Sequence, residues 1–92
     1  MQVERFGIAA FRSRQQLLRF DAALRRAGLD TEIVSTPSGI TLSCGLSIKF
    51  NIEDIEAAVS EYATNNMTAL IGFFTAEKDG QKIKLTRMLD EI

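Results

Sequence analysis

Cys44 is the only cysteine in this chain of 92 residues, and its thiol is the side chain with the most distinctive chemistry. A cysteine thiolate is a strong nucleophile and a good metal ligand. The chain has no histidine, which excludes the most common general base, the most common zinc ligand and any cysteine–histidine dyad. Its six glycines form no phosphate-binding loop. We therefore expect neither an enzyme active site nor a bound metal or cofactor.

The residues around Cys44 allow two environments for its side chain. From Ile40 to Phe50 the even-numbered residues are apolar and the odd-numbered ones are small or polar, which is typical of a half-buried strand. If that strand begins at Ile40, Cys44 belongs to the apolar series and is a packed core residue.

The second possibility is that residues 37–45 form a loop and that the strand begins at Leu46. Cys44 then lies near the start of the first predicted helix, where the positive end of the helix dipole, Arg12 and Arg14 favour the thiolate over the thiol. A glycine within such a pattern, here Gly45, often marks a bulge or a close approach by another backbone. In this arrangement Cys44 is accessible rather than packed.

Capping and turn residues indicate the elements that position Cys44. Ser13 predicts the start of a first helix, with Gln16 closing a capping box, and Gly28 predicts its end. Asn51 predicts the start of a second helix, and the pair Asp79-Gly80 predicts a two-residue hairpin turn. Apolar periodicity predicts strands at residues 3–11, 31–36, 68–76 and 81–87, together with the strand that ends at residue 50.

This order predicts an α+β fold, a ferredoxin-like split βαβ sandwich (βαββαβ) with an extra C-terminal edge strand. Both helices would cover one face of the sheet, leaving the other face partly open or available for association. In that topology the turn at residues 37–39 lies at the same end of the sheet as Arg12, Ser13 and Arg14. We expect a single domain over residues 1–92, with residues 77–92 as a C-terminal hairpin extension.

Charge is unevenly distributed along the chain, although the formal net charge is only −1. Residues 1–46 hold six arginines and four acids, a net charge of +2, whereas the remainder holds five bases and eight acids, a net charge of −3. The pattern favours one basic and one acidic solvated helix face over a basic docking patch. The predicted central strands also lack the aromatic motif that stacks RNA bases, so we expect no nucleic-acid partner.

The sequence also indicates a cellular compartment. It has no run of about 18 apolar residues, the minimum for a membrane-spanning helix. The first residues show no small-residue cleavage site of a signal peptide. A single cysteine cannot form an internal disulfide, which fits a reducing environment. We therefore expect a cytoplasmic protein that does not bind membranes.

The stretch of residues 36–50, TPSGITLSCGLSIKF, resembles the signature of the selenium/sulfur carrier protein-like family. Members of that family are small domains in which a proline turn precedes a Cys-Gly pair, followed by an alternating apolar strand that leads into a helix. The preceding strand, the first helix and Gly28 fit the same pattern, so the resemblance covers roughly residues 3–72.

The resemblance implies that Cys44 is a carrier thiol. It would accept a sulfur or selenium atom from a donor protein, such as a cysteine desulfurase, hold it as a persulfide or selenopersulfide, and pass it on. Pro37, Ser43 and Gly45 would support the loop that presents it, and the domain itself would not be an enzyme.

A function of a different class also fits the sequence. The chain could be a regulatory module that forms a homodimer through the open sheet face or the added hairpin, with Cys44 merely packed in the core.

Overall fold

A computed structural model describes residues 3–37, 40 and 45–88, so that Ser43 and Cys44 lie outside the described residues. Helices and strands follow one another along the described chain in the order that the sequence predicts. The elements are β1 (Val3–Phe11), α1 (Arg14–Arg26), β2 (Thr31–Ser35), β3 (Leu46–Asn51), a single 3₁₀ turn (Ile52–Asp54), α2 (Ile55–Ala63), β4 (Leu70–Asp79) and β5 (Lys82–Arg87).

The five strands form one antiparallel sheet in the order β2-β3-β1-β4-β5. β3 therefore lies between β1 and β2, and β1 lies at the centre of the sheet. β5 pairs with β4 from Phe74↔Arg87 to Asp79↔Lys82 and extends the sheet beyond β4. The fold is α+β, with five antiparallel strands and two helices, and β5 makes its strand order differ from that of a simple four-stranded split βαβ domain.

The main core lies between the sheet and the two helices. Alternate residues of the central strands face α1 and α2, and their side chains are almost completely buried. Phe20 is at the centre of an aromatic group, with ring centroids 5.5 Å from Phe11, 5.9 Å from Tyr62 and 6.2 Å from Phe73. The fully or nearly buried members of this core are Ala9, Phe11, Leu17, Phe20, Leu24, Ile48, Phe50, Ala58, Met67 and Phe73.

The opposite sheet face, predicted to be partly open or available for association, carries a second apolar cluster. Ile8 and Phe74 are 0% and 8% exposed on this face, although neither α1 nor α2 packs there. The cover comes instead from Ile40, in the connection between β2 and β3, and from β5, whose Leu85 packs against the cluster. The Arg87 guanidinium lies over the Phe74 ring, 5.6 Å from its centroid. These contacts bury the apolar cluster at the centre of the face, and its use for association stays a prediction.

The ends of α1 follow their predicted chemistry. The Ser13 side chain accepts a hydrogen bond from the Gln16 backbone N–H at 3.2 Å. At the other end, Gly28 has a φ of 92°, which other residues rarely adopt. Its N–H donates to the Arg25 carbonyl, and the N–H of Leu29 donates to the Leu24 carbonyl, which together make a Schellman cap.

Of the two starting points that the sequence leaves open for β3, the structure has the later one, Leu46. Two other local predictions were wrong in detail. Asn51 makes no side-chain capping bond, because a 3₁₀ turn precedes α2. The β4–β5 turn is centred on Gly80 and Gln81, one residue later than predicted, because Asp79 pairs with Lys82 in the sheet.

Candidate functional site

The connection between β2 and β3 is closed at its base by two bonds. The backbone N–H of Thr36 donates to the Gly45 carbonyl at 2.9 Å. The hydroxyls of Thr36 and Ser47 lie 2.8 Å apart and share a hydrogen bond. Ser47 is completely buried, although its place in the alternation predicts an outward-facing side chain. These bonds hold the two ends of the predicted Cys44 loop together.

Gly45 directly follows Cys44 and gives the loop base its shape. Its φ is 81°, and it is exposed. A Cβ added to it would meet no atom within 4 Å, so the requirement for glycine comes from the backbone conformation and not from crowding. The chain therefore turns sharply at Gly45, in open surroundings, before it enters β3.

Pro37 and Ile40 attach the connection to the helix-free face of the sheet. The Ile40 backbone N–H donates to the Pro37 carbonyl at 3.2 Å, and the Ile40 side chain is only 8% exposed. It packs into the second apolar cluster with Ile8, Ala10 and Phe74. Sequence reasoning placed Ile40 at the start of a strand and missed this anchoring role, although its apolar character within a proline-glycine segment was a usable signal.

Arg12 and Arg14 lie at the end of the sheet to which this connection belongs. The register pairs Ala10 with Ser47, which places the end of β1 beside the start of β3. The backbone N–H of Arg12 donates to the Ala69 carbonyl at 2.7 Å, and its guanidinium reaches the Thr68 carbonyl at 3.4 Å. Arg14 is exposed as the first residue of α1. Their role in stabilising a thiolate stays a prediction.

Gln16 holds the start of α1 against the entry to β4, a role that sequence reasoning did not identify. Its side-chain carbonyl accepts from the backbone N–H groups of Thr68 and Ala69 at 3.1 and 2.9 Å. Its amide nitrogen donates to the Thr68 hydroxyl at 3.2 Å. Gln16 therefore does not close the predicted capping box with Ser13, because its side chain bonds across the fold instead.

Two further findings concern the described part of the chain alone. Within residues 3–37, 40 and 45–88, no three side chains of the metal-binding types lie together. Neither α1 nor α2 has the length and apolar character needed to cross a lipid bilayer.

The comparisons with known proteins agree with the resemblance in the sequence. No curated protein and no solved structure matches the chain. The sequence model of one family, described as "Putative Se/S carrier protein-like", matches residues 6–70. That match runs from β1 to the first residue of β4 and includes the β2–β3 connection with Cys44. Since it spans more than half of the 92 residues, the chain belongs to the Se/S carrier protein-like family.

Proposed function

We propose that the protein is a non-enzymatic carrier of sulfur or selenium and that Cys44 bears the transferred atom. The observation that carries this proposal is the family match over residues 6–70, which includes the chain's single cysteine. Any transfer through a protein thiol has to use Cys44, because the chain contains no other thiol. The donor that we propose is a protein persulfide, such as that of a cysteine desulfurase.

The transfer is a thiol–persulfide exchange. The Cys44 thiolate attacks the outer sulfur of the donor persulfide, a new S–S bond forms to Cys44, and the donor S–S bond breaks. The donor cysteine leaves as a thiolate, and Cys44 holds the persulfide. With a selenopersulfide donor, the same attack transfers a selenium atom. No external oxidant or reductant is needed, because the sulfane sulfur or the selenium moves with its oxidation state unchanged.

The geometry next to Cys44 supports this role. β3 begins at Leu46, two residues after Cys44 in the chain. Gly45 is exposed and turns the chain in open surroundings, while the bond between Thr36 and Gly45 fixes the loop base. Access and thiolate fraction set the rate of such an exchange. The exposed Gly45, on a loop base closed by hydrogen bonds, favours access to the neighbouring Cys44.

We also propose that β1 to β4 and the two helices make a ferredoxin-like split βαβ unit to which β5 is added. The observation that supports this assignment is the order of β2, β3, β1 and β4, in which β3 lies between the two strands that α1 connects. In this unit the β2–β3 connection and the start of α1 lie at one end of the sheet.

The direct test is to load the protein with sulfur from a defined donor. Purified protein is incubated with a cysteine desulfurase and L-cysteine, and its intact mass is measured before and after reduction. We expect the mass to rise by one sulfur atom on Cys44 and to return on reduction. Cys44→Ser is the matched control and must stay unloaded. Replacing L-cysteine by a selenium source tells whether selenium is carried as well.

A second candidate function is a regulatory or dimerising module in which Cys44 is packed. The burial of Ile40 favours it, because the connection that contains Cys44 already supplies one side chain to the core. The two functions differ in the rate at which iodoacetamide alkylates the native protein. Alkylation of Cys44 at the rate of a free thiol supports the carrier. Alkylation that requires unfolding, together with a loss of stability in Cys44→Ser, contradicts the carrier and supports the module.

A further inference from the structure

The outward face of α1 has an unusual composition for a solvated helix surface. At 100° per residue, Leu18 and Ala22 lie along its middle, and arginines border them on both sides. Leu18 is 47% exposed, one of the few large apolar residues on the surface of the described chain. We call this surface the arginine face; its members are Arg14, Leu18, Arg19, Ala22 and Arg26.

The stability of the fold does not account for these arginines. Among the described residues, the ion pair that α1 makes is between Arg25 and Asp21, at 2.9 Å, and Asp21 is buried beneath the face. Arg14, Arg19 and Arg26 are exposed and form no ion pair within the described ranges. Arg14 also occupies the first turn of α1, where the helix dipole disfavours a positive charge.

The mixture of residue types favours a protein partner over a nucleic acid. Protein interfaces combine an apolar centre with a polar rim, and arginine is enriched in them whereas lysine is depleted. The arginine face has that arrangement, and all of its bases are arginines. It presents no aromatic ring on which a base of single-stranded nucleic acid could stack.

The position of the face relates it to the proposed carrier thiol. Arg14 comes three residues after the end of β1, and near that end Ala10 pairs with Ser47 at the start of β3. The base of the β2–β3 connection, closed by Thr36 and Gly45, is at this same end of the sheet. A protein bound over the first two turns of α1 therefore lies at the end of the sheet where the connection that contains Cys44 begins and ends.

We propose that the arginine face is the docking surface for an acidic surface patch of the protein that donates sulfur to Cys44. This inference rests on the proposed carrier function. It adds where on the carrier the donor protein binds and which charge the donor surface has. Leu18 supplies the apolar centre of the contact, and Arg14 and Arg19 steer the acidic partner toward it. Steering of this kind acts mainly on the association rate and weakens as salt increases.

The test compares two double charge reversals that change the net charge equally. R14E/R19E alters the arginine face, and K82E/K84E alters two exposed lysines of the edge strand β5. The second-order rate constant of persulfide transfer from a cysteine desulfurase to Cys44 is measured at low and high salt. Loading by inorganic polysulfide, a donor too small to need a docking surface, is measured in parallel. Circular dichroism checks that both variants fold.

We expect R14E/R19E to lower the rate constant for the desulfurase by about tenfold or more at low salt, and K82E/K84E to change it much less. High salt narrows the difference between the two variants. Arg14 is also predicted to stabilise the Cys44 thiolate, so each desulfurase rate constant is divided by the polysulfide rate constant of the same protein, and we expect this ratio to fall mainly in R14E/R19E. Equal ratios in the two variants would overturn the docking proposal, because desulfurase and polysulfide rate constants that fall together report a loss of thiolate and not of docking. A wild-type protein that accepts sulfur from polysulfide but not from the desulfurase also overturns it, while the carrier function stands.

Other occupants of the arginine face give results that contradict the proposal. A wild-type dimer in sedimentation that R14E/R19E abolishes would assign the face to a second copy of this chain. Binding of a single-stranded RNA oligonucleotide that R14E/R19E abolishes would assign it to nucleic acid. Failure of Cys44 to accept sulfur from either donor overturns the carrier function and the docking proposal together.

Discussion

At the scale of single residues, Gly7 shows how a missing side chain shapes the main core. Gly7 pairs with Phe50 across β1 and β3, and the Phe50 ring lies in the space that a side chain at Gly7 would fill. From there the ring makes an edge contact with Phe73, with centroids 6.4 Å apart. Gly7 therefore allows an aromatic ring to lie flat over the centre of the sheet.

Replacing Gly7 by alanine is expected to lower the free energy of unfolding by about 1–3 kcal/mol, because buried overpacking forces the ring or the backbone to move. The added Cβ would lie 2.3 Å from the nearest ring atom of Phe50. Urea denaturation measures the effect. Gly72→Ala is the matched control, since its Cβ would meet only the guanidinium at the far end of the exposed Arg87 side chain, at 3.0 Å. An equal loss of unfolding free energy in both variants would contradict this explanation.

At the scale of elements, α1 is held to the sheet at both ends by polar side chains. At its start, Gln16 makes three hydrogen bonds to Thr68 and Ala69, more than 50 residues further along the chain. In its second half, the buried Asp21 accepts from the Thr31 hydroxyl at 2.5 Å and pairs with Arg25, which lies in the last turn. These bonds fix the direction of α1 and therefore the position of the arginine face.

Gln16→Ala is expected to lower the free energy of unfolding by about 1–2 kcal/mol, because it removes these bonds and leaves the partly buried N–H of Ala69 without its partner. Thermal and urea unfolding measure the change. The control is Gln15→Ala, an exposed neighbour on the same helix turn. We expect that variant to stay within about 0.5 kcal/mol of the wild type. If the two variants lose the same stability, helix propensity and not the cross-fold bonds is responsible.

At the scale of the whole molecule, the sheet extends beyond the part that matches the family. The match ends at residue 70, where β4 begins. β4 nevertheless pairs with β1 from Val3↔Asp79 to Phe11↔Leu70 and lies inside the sheet, with β5 at the edge. β5 therefore protects the β4 edge and covers part of the helix-free face.

Truncation after Asp79 is expected to remove at least about 2 kcal/mol of stability, because it deletes Leu85 and exposes the apolar groups beneath it. It also leaves the β4 edge unpaired, which promotes aggregation. Unfolding curves and light scattering measure both effects. Truncation after Met88 is the control, since it retains all of β5. A shorter chain as stable and monomeric as the control would show that β5 is dispensable.

The sequence by itself determined the features that depend on neighbouring residues. The bounds of β1, the Ser13 cap and the left-handed Gly28 follow from local periodicity and backbone preference, and the structure confirms each of them. The sequence likewise identified Cys44 as the chain's single thiol, together with the family to which the chain belongs.

Only the tertiary structure decided the features that depend on residues far apart in the chain. The alternation from Ile40 to Phe50 does not show where β3 begins, because a strand needs a partner, and the pairing with β2 reaches only to Leu46. In the same way, Ile40 covers the second face of the sheet, and Gln16 bonds to the entry of β4. Such contacts form only when the whole sheet has assembled, so no local pattern predicts them.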